Sequence, residues 1–186
     1  MDFNIKIIQC WSKNSSLVAL NDDFCEHIEM KNDYDYAKTL IALNQEEFIN
    51  IEHDIIFTES ALETLKNFKI KEDFGGVVGN YQIKGAPTAH RTKGLALYYP
   101  LPQYPTSAQT PRFIEVNKFI TSEMDEAEMV GFGFIKFRKG IFEELNFNVG
   151  ENYKWNDFDT VFSERAMKKN IKFQVIPDLW VKHLHI

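Results

Sequence analysis

Three sets of side chains in this sequence have the types and spacing to do chemistry. Glu52 and Asp54 stand two apart in the apolar run 48–57. On a strand they share a face, with about 6.6 Å between Cα atoms at about 3.3 Å per residue. Carboxylates in an apolar run are costly unless paired or bound to a cation. A hard divalent ion, Mg²⁺ or Mn²⁺, takes carboxylate oxygens together with phosphate oxygens of a substrate. The bland alternative is that the two cap the following helix or pair with lysines. The second set is Trp155-Asn156-Asp157-Phe158-Asp159, leading to Glu164-Arg165-Ala166. An Asp at a helix start is an N-cap, or, held over a cleft, a general base. The third is His183 and His185, two apart at the C-terminus. They share a face of an extended chain, and imidazole is a common metal ligand, though a histidine near a chain end is weak by itself.

Alternating segments must position these groups. The run 3–11 reads as a strand, Asn14 and Ser15 precede a short helix over 17–20, and 27–31 reads as a second strand. Ala37, Leu40, Ile41 and Asn44 predict a helix over 36–45. The run 48–57, apolar on both faces, predicts a strand covered by helices on both sides. Thr58 caps a helix whose stripe is Ala61, Leu62, Leu65 and Phe68, and 75–83 suggests a further strand. This β-α-β-α-β-α order predicts an α/β fold with a mostly parallel sheet.

The pattern stops at Gly85. Five of the six prolines (Pro87, Pro100, Pro102, Pro105, Pro111) fall in 85–113, a stretch without a clean period. A connection that long is expected to be functional or disordered, and Tyr98, Tyr99 and Tyr104 favour a packed loop. Beyond it, 113–120 and 129–135 predict strands, 139–145 a short helix and 159–169 a longer one ending in Lys168-Lys169-Asn170. Closing strands over 171–184 are split at Pro177-Asp178.

The 186 residues carry 21 Lys and Arg against 27 Asp and Glu, a net charge of −6, with 44% apolar residues. That suits one domain with a real core and argues against wholesale disorder. No apolar run approaches the roughly 18 residues of a membrane span. The first residues lack a signal peptide's basic and apolar blocks, so an intracellular, cytoplasmic protein is expected. Only four of the basic residues are Arg, and no nucleic-acid partner is expected of so acidic a chain. Cys10 and Cys25, with no C-x-x-C, argue against a zinc site or disulfide scaffold. Glu123, Asp125, Glu126 and Glu128 read as solvated surface.

In their order and separations, Ile49-Asn50-Ile51-Glu52-His53-Asp54, Gly131-Phe132-Gly133-Phe134, the 155–166 segment and Val181-Lys182-His183 resemble the nucleotide-diphospho-sugar glycosyltransferases of the GT-A fold. That family has a Rossmann-like half ending in an acidic "DxD" motif, a Gly-containing strand, an "xED" helix start and a C-terminal metal-shell His. The resemblance covers roughly 1–80 and 128–186. Here Glu52 replaces the first Asp and Asn156 the usual Glu. The chain is short for the family, near the small versions expected of compact genomes such as viral ones.

The resemblance implies one GT-A domain over 1–186: a nucleotide-binding half at 1–84, a long loop at 85–113 and an acceptor-side half at 114–186. It implies a Mn²⁺ or Mg²⁺ ion held by Asp54, His183 and Glu52. Asp157 would deprotonate the acceptor hydroxyl of a glycan, protein or small molecule in an inverting transfer; with Asp157 only a cap, a retaining route stays open. Trp11 would stack on the base or ribose and Asp33 accept from the base edge, unless they are packing and turn residues. Arg91, with His90 and Lys93, would close over the diphosphate or contact the acceptor. Gly131, Phe132 and Gly133 would lie on the sugar side, unless the glycines only form a bulge. Gly131-x-Gly133 is no dinucleotide fingerprint, since Lys136 stands at the third glycine. Two rival readings are a metal-dependent nuclease or phosphohydrolase built on Glu52, Asp54, Asp157 and His183, and a non-catalytic binding module.

Overall fold

Apolar residues on both faces of β3 (Phe48–Glu52) force helices onto both sides of the sheet that contains it. The computed structural model describes residues 5–13, 15, 18–21, 23–83, 88–92, 96–98, 113–115, 118–119, 125–147 and 158–184. Before β3 come β1 (Lys6–Trp11), β2 (Glu26–Glu29) and α1 (Asp33–Leu43). After it follow β4 (Ile55–Ile56), α2 (Glu59–Asn67) and β5 (Phe74–Asn80). Four short strands lie next: β6 (Arg91–Thr92), β7 (Ala96–Tyr98), β8 (Phe113–Glu115) and β9 (Lys118–Phe119). The chain continues through β10 (Glu126–Ala127), β11 (Phe134–Phe137), α3 (Ile141–Glu144), α4 (Phe158–Lys168), β12 (Lys172–Trp180) and β13 (Lys182–His183).

The central sheet has the order β10-β12-β5-β11-β3-β1-β2. β1, β2, β3, β5 and β12 share one direction, while β10 and β11 run against them. The fold is therefore α/β with a mixed, mostly parallel sheet. β4 pairs with β13, β6 with β9 and β7 with β8, each antiparallel.

On one face α1, α3 and α4 cover a cluster of rings, Phe48, Phe132, Phe137, Phe142 and Phe162. Neighbouring centroids there lie 4.9–6.2 Å apart, in the range where aromatic pairs add to simple burial. On the other face α2 sets Ala61, Leu62 and Leu65 over Ile49, Ile51 and Val77. Local signals open α1 and α2: Asn32 accepts from Asp35 N–H, and Thr58 from Ala61 N–H. No helix among the described residues is long and apolar enough to cross a membrane.

Several sequence expectations are corrected. The strand expected over 48–57 breaks after Glu52, so Asp54 lies in a turn and not on the strand face that Glu52 occupies. The turn is set by long-range bonds: Ala19 N–H donates to His53 O, and Leu184 N–H to Asp54 O. Residues 18–20 form no helix, because Gln9 binds the segment from both sides, donating to Ala19 O and accepting from Asn21 N–H. The strand expected over 113–120 is two short strands outside the central sheet. The one expected over 129–135 begins only at Phe134. β12 runs through Pro177-Asp178 with a register shift, and Asn80 Nδ2 spans the irregularity by donating to Ile176 O and Pro177 O.

Candidate functional site

Glu52 ends β3, with Cys10 as its neighbour on β1, at the carboxyl edge of the parallel strands. Ligands of open α/β sheets gather at that edge. Asp54 follows in the turn, and β13 brings His183 alongside, Nε2 lying 3.2 Å from Asp54 Oδ2. Asp159, in the first turn of α4, completes the acidic group; its Oδ1 accepts from Thr160 N–H at 2.7 Å.

The electrostatics bear out this proximity. Burial pushes the Glu52 carboxyl up to about 8, and the negative charges of Asp54 and Asp159 add to the effect. Burial likewise raises Asp159, opposed by the Thr160 hydrogen bonds and the nearby Arg91 guanidinium. Arg91 is therefore near enough to Asp159 to favour its charged form. Its backbone is held on both sides: its N–H donates to Met129 O, and its carbonyl accepts from the N–H groups of Glu128 and Met129.

Beneath the carboxylates lies a floor of backbone. Tyr81 Oη accepts from Gly133 N–H at 2.9 Å, and a Cβ on Gly131 would stand 2.2 Å from that oxygen. Glycine at 131 and 133 therefore makes room for the Tyr81 ring. His90 pins the floor to β5. Its Nε2–H donates to Gly79 O at 2.8 Å while Nδ1 accepts from Gly131 N–H. Burial pushes His90 down to about 4, so it is neutral in this role. Asn50, fully buried on β3, donates to Phe132 O and to Tyr36 Oη.

Glu52, Asp54 and His183 come to one edge of the sheet, with Arg91 close enough to influence Asp159. Trp11, half-buried, ends β1 on that edge. Asp33 opens α1 next to its cap Asn32, and its side chain lies outside the described part. Asp157, Lys93 and His185 also lie outside the described residues. Three expectations are corrected. Phe132 is 1% exposed, with its ring among Phe137, Phe158 and Phe162, so it offers no surface to a sugar. Gly131 and Gly133 are taken up by Tyr81. His90 is a buried structural histidine and does not cover a diphosphate. Glu128 is not fully solvated either: its Oε2 is buried without a hydrogen bond among the described residues. Asp159 was legible as a cap or a general base but not as a neighbour of Glu52, and nothing in the sequence marked Tyr81.

Asp54 Oδ2 and His183 Nε2 face each other at ion-pair distance, 3.2 Å; carboxylate oxygen and imidazole nitrogen are also atom types that a divalent cation takes as ligands. Among the described residues no three His, Cys, Asp or Glu side chains already form a metal-holding group. An ion here would complete its shell with water or phosphate oxygens, as Mg²⁺ commonly does.

No family model matches the sequence, and no curated protein matches it. The crystal structure of A197 from STIV is similar over 92% of this chain and 82% of that one, at 11% identity and a TM-score of 0.48. The inositol-1-phosphate CTP transferase from T. maritima is similar over 86% of this chain and 60% of that one, at 14% identity and a TM-score of 0.43. Both scores lie below one half, so a functional reading rests on the residues of the site.

Proposed function

We propose that this chain is a metal-dependent glycosyltransferase of the GT-A kind, a single domain moving a sugar from a nucleotide-diphospho-sugar to an acceptor hydroxyl. One observation carries the reading: Glu52, Asp54, Asp159 and His183 gather at the carboxyl edge of the parallel strands, with Arg91 close by. The negative charges of Asp54 and Asp159 disfavour a diphosphate, so such a site suits that substrate only with added positive charge.

Asp54 and His183, with Glu52 beside them, would hold Mn²⁺ or Mg²⁺, which would supply that charge and offset the charge on the leaving diphosphate. Arg91 contacts the diphosphate or the acceptor. Trp11, at the end of β1, and Asp33, at the start of α1, take the nucleoside. Asp157, two residues before Asp159, accepts the proton of the acceptor hydroxyl. As the acceptor oxygen bonds to the anomeric carbon, the bond to the diphosphate breaks on the opposite face, giving inversion. The acceptor is a glycan, protein or small molecule, and selectivity for it resides in 85–113.

A thermal-shift panel of nucleotide-diphospho-sugars with and without Mn²⁺ tests the reading, since a ligand that binds only the folded state raises its stability. A Mn²⁺-dependent shift with one nucleotide class is expected. Asp157→Asn should keep that shift and lose sugar transfer. Absence of any shift, together with Mg²⁺-dependent hydrolysis of phosphodiesters, would replace this reading with that of a nuclease.

A further inference from the structure

Four large hydrophobic side chains stay exposed among the described residues: Val18, Leu20, Ile56 and Trp180. They are not scattered. Ile56 pairs with Lys182 across β4 and β13, and Trp180 stands two residues before Lys182. Val18 and Leu20 flank Ala19, whose N–H donates to His53 O. All four therefore belong to neighbouring stretches of chain beyond the carboxyl ends of the parallel strands. Single exposed hydrophobics need no explanation, whereas grouped ones mark interaction surfaces.

The end of β12 gives this surface a pattern. Burial alternates along it: Asp178, Trp180 and Lys182 are exposed, with Leu179 and Val181 buried between them. The three exposed side chains share one face, about 6.6 Å apart in succession at about 3.3 Å per residue. That face carries a negative charge, an aromatic ring and a positive charge, in that order. Trp180, 47% exposed, stands at its centre. Neither Asp178 nor Lys182 forms an ion pair among the described residues.

Such a strip is complementary to itself. A two-fold axis across the strand sets Asp178 of one protomer against Lys182 of the partner subunit, and the reverse, with the two Trp180 rings meeting at the axis. An axis along the strand would set each charge against its own kind. Two-fold contacts of this isologous sort are the commonest in homo-oligomers. An aromatic anchor inside a charged rim is also where such contacts concentrate their binding energy. Ile56, opposite Lys182, extends the apolar part of the strip, and the lysine stem packs along it. The balanced charge of the strip, in a chain of net charge −6, disfavours an anionic lipid surface as the occupant.

We propose that the face formed by Asp178, Trp180 and Lys182 seats a second copy of this chain about a two-fold axis at Trp180. The contact borders the candidate site, since His183 follows Lys182 on β13, but it is independent of the reaction assigned to that site.

The test is the mass of the full chain by sedimentation equilibrium over a wide dilution series. The wild type is expected to pass from the 21.7 kDa monomer to a dimer as concentration rises. Trp180→Ser is expected to weaken association at least about 30-fold. Asp178→Lys and Lys182→Asp each replace two attractive pairs by two repulsive ones and are each expected to weaken it about tenfold. Mixed in equal amounts, these two variants present opposite charges to each other and are expected to associate as the wild type does. The double variant carrying both changes is expected to recover as well. A monomeric wild type at every concentration overturns the proposal. So does wild-type association in Trp180→Ser, or a mixture of the two charge variants that fails to recover. Flotation of a monomeric wild type with phosphatidylcholine vesicles, lost in Trp180→Ser, would give the face to a lipid surface instead. Circular dichroism confirms the fold of each variant. Where Trp180→Ser does not fold, the mixing experiment decides alone.

Discussion

His183 Nε2 lies 3.2 Å from Asp54 Oδ2, which ties the closing strand of the chain to the turn that follows β3. Neither residue belongs to the central sheet, so the contact is made by two short elements meeting at its edge. Asp54→Ala and His183→Ala are each expected to abolish the Mn²⁺-dependent part of nucleotide-sugar binding in calorimetry. An unchanged Mn²⁺ response in both variants would remove the pair as a cation site.

Glu52 makes stability depend on pH. Its carboxyl is pushed from 4.5 up to about 8 by burial and by Asp54 and Asp159. Between those values the folded chain holds a proton that the unfolded chain has released, so stability falls as pH rises, by about 1.4 kcal/mol per pH unit. The stability linked to this proton is complete below pH 4.5 and lost once pH passes about 8. Asp159, also raised, acts in the same direction. In metal-free urea titrations, Glu52→Gln should track the wild type near pH 4.5 and exceed it at pH 8.5. Parallel pH profiles would show that Glu52 does not sense the other carboxylates.

The glycine floor gives a compensation test. Gly131→Ala sets a Cβ 2.2 Å from Tyr81 Oη and 3.3 Å from Cζ. Overpacking of this kind costs about 1–3 kcal/mol. Tyr81→Phe in the same chain removes the 2.2 Å contact and should restore most of that loss in thermal denaturation. A double variant no more stable than Gly131→Ala would mean that the close contact is not with the hydroxyl.

His90 should behave as a backbone pin. His90→Leu leaves Gly79 O and Gly131 N–H buried without their partner, at a cost of about 1–3 kcal/mol each. His90→Gln keeps an amide donor for Gly79 O and should recover part of it. The folded imidazole, pushed from 6.5 down to about 4, stays neutral where the unfolded one takes a proton. The wild type should therefore lose stability as pH falls through that window, and His90→Gln should lack this acid limb. An identical acid limb in the variant would assign it to other groups.

Most strands of the first eighty residues, and helices α1 and α2, were legible because their signals are local: two-faced apolar runs for strands, an apolar stripe with Thr58 as cap for α2; the helix expected before β2 was not formed by residues 18–20. The acidic residues of the site were legible for a related reason, since a charge inside an apolar run is conspicuous. Their arrangement was not. Nothing within 48–57 reveals that the chain turns after Glu52, because the bonds that hold the turn come from Ala19 and Leu184. Gly131-Phe132-Gly133 read as an open, sugar-facing stretch because a glycine without a side chain looks the same whether its space is empty or filled. Here Tyr81 fills it.

Types and spacing along the chain were enough to nominate Glu52, Asp54 and His183, since the desolvation cost of a carboxylate and the donor chemistry of imidazole belong to the residues themselves. Only the folded chain could decide that Asp159 joins them, that Arg91 is close enough to act on it, that His90 turns inward, and that Tyr81 lies against His183. Those relationships depend on which strands become neighbours, and β11 inserting antiparallel between β3 and β5 is a choice made by the whole core. Proximity across long sequence separations is a property of packing, and it leaves no mark on either residue alone.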